Sequence, residues 1–218
     1  AGDTVLAVIG LVLGAGCDIE TAVYLANIAA GIVVGKLGVA TTTRTEIEQY
    51  LAYLEKNPWH KIMSLDAAVK MVEGWRKQGE KIVFTNGCFD ILHIGHIRYL
   101  QKAKSLGDRL VVGLNSDASV RRLKGEHRPI LSQEERSHIL AALSSVDIVI
   151  IFDEDTPLDM IKKIRPDILV KGEDWRYKGV VGQEFVESYG GRVELMPVIK
   201  GISTTQIIKR VLERYNQV

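Results

Sequence analysis

The sequence predicts an α/β protein built on a parallel, doubly wound sheet, and three observations carry the prediction. From residue 80 onward, short apolar runs alternate with helical patterns. The runs are almost continuously hydrophobic, as in Ile82-Val-Phe84 and Ile148-Val-Ile-Ile151, which suits strands covered on both faces. The first of them passes through Asn86-Gly87 to His93-Ile-Gly95-His96, a glycine turn that opens a helix.

Ahead of this region, residues 4–13 and 21–34 are strongly apolar and read as buried helices. The first run is too short to span a bilayer, no basic segment precedes it, and Asp18, Glu20 and Lys36 interrupt the pattern. Residues 42–63, with Asn57-Pro58 among them, read as a polar connector, and Ser64 is a natural N-cap for a helix over 65–76 that leads to Gly79. From there, 81–85, 109–114, 146–152, 167–171 and 192–197 read as strands. Residues 96–105, 132–144, 157–164, 183–189 and 203–215 read as helices, with Ser132-Gln-Glu-Glu135 a capping box. In doubly wound sheets ligands bind beyond the carboxyl ends of the strands, and residues 86–90, 115–117 and 171–174 all fall there.

Charge excludes some partners. With 28 basic and 27 acidic residues among 218, no global field points to nucleic acid or to an anionic membrane, so basic groups must act locally. Cys17 and Cys88 match no metal-ligand or redox spacing and read as free thiols of a reducing, cytoplasmic compartment, Cys88 as a small buried residue. No internal repeat is present.

His93 and His96 are placed at a helix N-terminus, where free N–H groups and the macrodipole favour anions. Gly95 carries no Cβ, so phosphate oxygens can approach the backbone between two imidazole donors. A second hydroxyl-rich helix start, Gly201-Ile-Ser203-Thr204-Thr205, lies near the C-terminus. Lys124 falls on a basic loop over 121–128, Arg136 follows the capping box, and Asp90 precedes His96 by six residues. Asp90 suits either a sugar hydroxyl, a magnesium ion or an Asx cap. Trp175 suits stacking on a ring or covering a core edge, and His127 and His138 read as surface or packing residues.

The pairing of the strand–HxGH–helix unit with Ser203–Thr205 resembles the nucleotidyltransferase superfamily that includes glycerol-3-phosphate cytidylyltransferase. Residues 85–96, 114–119, 122–129, 153–157 and 169–174 narrow the resemblance to heptose 1-phosphate adenylyltransferases, over about residues 80–218. Ala1-Gly2-Asp3-Thr4, the apolar helices and Gly38-Val-Ala-Thr41 resemble the end of ribokinase-type sugar kinases, in which the aspartate matching Asp3 is the base. The whole chain thus resembles the C-terminal part of the bifunctional heptose 7-phosphate kinase/heptose 1-phosphate adenylyltransferase family.

The resemblance implies a kinase remnant over 1–57, a linker and helix over 58–79, and a Rossmann-like adenylyltransferase domain over 80–218. It implies transfer of AMP from ATP, with magnesium, to a sugar 1-phosphate, giving an ADP-sugar for lipopolysaccharide and pyrophosphate. His93, His96 and Lys124 would be catalytic, and kinase activity would be absent here. Thr85, Asn86, Gly87, Phe89, Gly95, Arg136, Lys171, Gly172, Asp174, Ser203, Thr204 and Thr205 would hold the nucleotide, and Asp90 the acceptor. The family implies a homodimer. CTP with a small alcohol phosphate is the alternative reaction, and a scaffolding domain the alternative class, which the double phosphate clamp disfavours.

Overall fold

A computed structural model describes residues 1–197 and 202–215, which fall into two compact units, Ala1–Asn57 and Pro58–Val218. In the first unit, α1 spans Gly2–Gly14, α2 Ile19–Val34 and α3 Arg44–Lys56. Asp18 caps α2 by accepting the Thr21 N–H at 2.7 Å. The helix buries Ala22, Ala26, Ala29 and Val33 along one face. The expectation of two buried helices fails for α1: none of its residues is buried, and Leu6 and Leu11 are 72% and 73% exposed. Residues predicted as connector form α3 because Thr43 and Glu46 make a reciprocal cap. The Glu46 carboxylate accepts the Thr43 N–H at 2.8 Å, and the Thr43 hydroxyl accepts the Glu46 N–H at 3.3 Å.

The second unit opens with a 3₁₀ turn, Pro58–Lys61, and α4, Leu65–Lys77, capped by Ser64. There follow β1 (Ile82–Gly87), α5 (Ile94–Lys104), β2 (Arg109–Asn115), α6 (Asp117–Lys124) and α7 (Gln133–Ala141). The remainder is β3 (Ile148–Phe152), α8 (Leu158–Ile164), β4 (Ile168–Gly172), α9 (Gln183–Ser188), β5 (Arg192–Met196) and α10 (Thr204–Tyr215). A further 3₁₀ turn, Glu173–Trp175, follows β4. All five strands are parallel, in the order β3-β2-β1-β4-β5.

Lys124 was expected on a loop, but it ends α6. Ser116 caps that helix by accepting the Ser119 N–H at 3.0 Å, Val120 is buried, and Gly125, at φ 96°, terminates it. A helix of eight residues with one buried apolar side chain leaves little periodicity to read.

Side chains alternate between two cores, as a sheet covered on both faces requires. Ile82, Phe84, Val111, Ile150 and Leu169 pack with Ala68 and Val72 of α4, Ile161 and Ile164 of α8 and Val186 of α9. Val83, Leu110, Val112, Val149, Ile168 and Val170 pack with Leu100 of α5 and Leu140 of α7 on the opposite face. Each Val, Leu, Ile or Phe among them contributes about 1.5–3 kcal/mol on burial. Helix α4, expected in a connecting segment, is therefore part of this unit's core. The Met63 N–H donates to the Val149 carbonyl at 3.1 Å and ties the segment before α4 to β3.

The strand order fixes the ligand crevice. From β1 the chain builds outward to β2 and β3, then returns to β4 on the other side of β1. The connections diverge between β1 and β4, the switch point beyond whose strand ends sheets of this kind form their ligand crevice.

Candidate active site

Strand β1 delivers Thr85, Asn86 and Gly87 to this crevice, and the turn after it is unusually tight. Phe89 adopts φ 43°, a left-handed conformation that costs a non-glycine residue energy. Its ring returns over Gly87, where a Cβ would stand 3.0 Å from the ring edge, so any larger residue would push the ring aside. Helix α5 starts two residues earlier than expected, at Ile94, with His93 as its N-cap. His93 makes no side-chain cap, unlike the serines before α4, α6 and α7. The first turn of α5 thus keeps N–H groups for another acceptor.

The His93 and His96 rings stack 3.8 Å apart at an interplanar angle of 16°, and Phe89 meets His96 edge-on at 5.3 Å. Gly95 lets this pair approach, because a Cβ would lie 3.0 Å from the His93 ring and displace it. Both Nδ1 atoms and the Asn86 side-chain oxygen are buried without a hydrogen-bond partner. Burial, and then the neighbouring His93, push the His96 pKa down to about 4, and burial lowers that of His93 as well. At neutral pH the free site therefore presents neutral imidazoles with unused polar atoms, an arrangement completed by a polar ligand.

Strand β4 supplies the other wall. Lys171 is 6% exposed and donates to the Asn86 carbonyl at 3.3 Å, with its ammonium 5.0 Å above the Trp175 ring centroid. Burial pushes its pKa down to about 8, against the opposing effects of Asp174 and Cys88. Gly172 ends the strand, and Asp174 is exposed in the turn beyond. Trp175 packs partly into the core beside α9, so it both covers the core edge and faces the crevice.

Two residues expected at the ligand have protein partners. Arg136 is not a solvated helix-surface cation: it is 1% exposed. It donates to the carbonyls of Cys88 at 2.6 Å, Asn115 at 2.9 Å and Leu131 at 3.0 Å, and to the Asp117 carboxylate at 2.7 Å. Asp90, expected at the acceptor, is 3% exposed and spends its carboxylate on the Arg128 guanidinium and the N–H groups of Ile130 and Leu131. The two charges hold the same segment, Asp90 through the Leu131 N–H and Arg136 through the Leu131 carbonyl.

Lys124 is exposed at the end of α6, and its charge acts on the Cys88 thiol. That thiol is pushed up by burial, which suits a packing role and not a nucleophile. Ser203 is the N-cap of α10, accepting the Gln206 N–H at 3.2 Å; Thr204 is buried and Thr205 exposed. No hydrogen bond joins these residues to the β1–α5 turn among the described residues, and Gly201 of that motif lies outside them. Asp3 is exposed in the first turn of α1. His127 is exposed, and His138 packs edge-on against Trp59 at 4.4 Å.

Sequence reasoning missed Tyr99, whose hydroxyl hydrogen-bonds the Thr85 hydroxyl at 2.8 Å and whose acidity is suppressed by burial. The signal was present: Tyr99 lies three residues after His96, on the same helical face. It also missed Arg128, whose partner Asp90 is 38 residues away and carries no local signature.

The crevice is that of a nucleotidyltransferase-type fold, and the cytidylyltransferase-like family profile matches residues 84–210; the chain belongs to that family. The "Bifunctional protein HldE" of Geobacter sulfurreducens is 54% identical over 217 residues, all of this chain and 44% of the relative. The protein of the same name from Pelobacter propionicus is 56% identical over 216 residues, 99% of this chain and 44% of its own. The chain thus spans less than half the length of the curated relatives it matches. Among solved structures, the lipopolysaccharide core biosynthesis protein of Thermoplasma volcanium is 33% identical with a TM-score of 0.47, covering 57% of this chain and all of that one.

Proposed function

We propose that this chain transfers AMP from ATP to D-glycero-β-D-manno-heptose 1-phosphate, giving ADP-heptose and pyrophosphate on the way to lipopolysaccharide. The observation that carries the reading is the pair of stacked, neutral imidazoles with buried unused nitrogens, at an uncapped helix start beside the β1–β4 crevice. Whole-chain identity of 54–56% to the HldE proteins supports the same reading.

In the reaction an oxygen of the acceptor phosphate bonds to the α-phosphorus, and the bond from that phosphorus to the bridging oxygen of pyrophosphate breaks. The electron pair leaves with pyrophosphate, and no covalent enzyme intermediate forms. Charge builds on the α-phosphate oxygens and the leaving group, where His93, His96 and the first-turn N–H groups of α5 donate. Lys124 and Ser203–Thr205 act on the β- and γ-phosphates, while Gly172 and Asp174 border the ribose and base. Magnesium arrives with the triphosphate. The described residues assemble no group of three His, Cys, Asp or Glu side chains, so phosphate oxygens and water would supply most of its ligands.

We read Ala1–Asn57 as the end of a ribokinase-type domain with Asp3 at the former base position, and the protein as a cytoplasmic homodimer. No described helix is long and apolar enough to cross a membrane. The cytidylyltransferase-like profile keeps CTP in view as the alternative donor. Pyrophosphate release measured with ATP or CTP against heptose 1-phosphate and glycerol 3-phosphate tests the reading. Turnover with ATP and the heptose supports it, and turnover confined to CTP and the alcohol phosphate overturns it.

A further inference from the structure

The reaction brings a phosphate monoester, largely dianionic above its second pKa near 6, against a triphosphate. Two anions must meet, and the histidines, held neutral by burial, bring no charge of their own to the free site. Three arginines are already engaged, Arg128 with Asp90, Arg136 with Asp117 and Arg122 with Asp155, and the exposed Lys124 is given to the β- and γ-phosphates above. Lys171 differs. It is 6% exposed, forms no ion pair among the described residues, and is held by one long bond to the Asn86 carbonyl and by the Trp175 face. A buried ammonium so thinly compensated is costly in the free protein, and an arriving anion relieves that cost.

Position says which anion. By strand alternation Lys171 and Asn86 lie on the sheet face of Phe84 and Leu169, whereas His93 and His96 belong to α5 on the opposite face. A ligand at the strand ends is therefore bracketed, imidazoles on one side and the ammonium on the other. Resting on the adenylyltransferase reading above, we infer that Lys171 binds the phosphate of the acceptor, holding its oxygen toward the α-phosphate that the histidines receive. The unpartnered Asn86 side-chain oxygen beside it suits a donor hydroxyl of the same sugar.

The groups acting on Lys171 are Asp174 after β4, Cys88 after β1 and the Trp175 ring, with the Tyr99 hydroxyl of α5 next to Asp174. Its pKa of about 8 means that the ammonium is charged below that pH and lost above it, so acceptor affinity should fall through this range while ATP affinity does not.

The test compares the full chain with Lys171→Met and Lys171→Arg, reading separate KM values for ATP and heptose 1-phosphate from about pH 6.5 to about pH 9.5, with thermal melts alongside. The proposal expects Lys171→Met to raise the acceptor KM about 10²-fold with the ATP KM within about 2-fold, and Lys171→Arg to recover most of the loss and abolish the rise near pH 8. A rise in the ATP KM alone, or an equal rise in both in a folded variant, overturns it. If the wild type turns over no sugar phosphate, the catalytic reading fails instead. Calorimetric titration with inorganic phosphate then decides: binding lost in Lys171→Met supports the site, and equal binding or none in either protein overturns it.

Discussion

His93 and His96 stack face to face at 3.8 Å, and each buries its Nδ1 without a partner. Two imidazoles so close resist both becoming imidazolium, and burial already disfavours the charge. Their folded pKa values are lowered, that of His96 to about 4 against an ordinary 6.5.

This pair gives stability a pH slope. The unfolded chain takes up protons on these rings as pH falls below 6.5, while folded His96 resists until about 4. The contribution is complete above 6.5 and lost as pH falls toward 4, worth on the order of 3 kcal/mol for His96. Denaturant melts should show a flatter slope in this window for His96→Gln than for the wild type. Identical slopes would mean that the ring titrates normally in the fold.

Arg136 should prove structural. Replacing it by Met strands the carbonyls of Cys88, Asn115 and Leu131 and the Asp117 carboxylate, a loss of about 3–5 kcal/mol on the scale of broken buried pairs. Urea unfolding measures it. A loss below about 1 kcal/mol, with a raised ATP KM, would return Arg136 to the triphosphate.

Asp90→Asn keeps an acceptor for the Ile130 and Leu131 N–H groups but leaves Arg128 without its carboxylate. The segment over 125–131 should loosen, giving faster proteolytic cleavage there and a stability loss of about 1–3 kcal/mol. A changed magnesium requirement or acceptor KM with unchanged cleavage would place Asp90 on the ligand instead.

Much of the sheet unit was legible because its strands are short apolar runs separated by capped helices. Ile82-Val-Phe84 and the Ser132–Glu135 capping box identify themselves locally. The histidines were legible for the same reason, since the turn, the glycine and the helix start are contiguous. What stayed hidden depends on distant partners. Arg136 looks like a surface residue until Cys88, Asn115 and Leu131 converge on it, and the bond from Arg128 to Asp90, 38 residues apart, has no local signature. Helix α1 failed differently: its composition promises burial all round, but only one side packs on α2, leaving Val5, Val8, Ile9 and Val12 half-buried and Leu6 and Leu11 exposed.

Deleting residues 1–57 should leave turnover intact, because the crevice is assembled wholly within Pro58–Val218. The exposed leucines of α1 go with the deletion, so light scattering should show less self-association. Loss of turnover in a folded Pro58–Val218 unit would show that the N-terminal helices contribute to the site.

The most direct test of the account is pyrophosphate release from ATP and heptose 1-phosphate by the wild type and by His96→Ala, with melts to confirm folding. Removing one donor to charge that develops during transfer should lower turnover by ~10²–10³ in a protein that still folds. Near-normal turnover in folded His96→Ala would contradict the central claim that these neutral imidazoles stabilise the transferring phosphate.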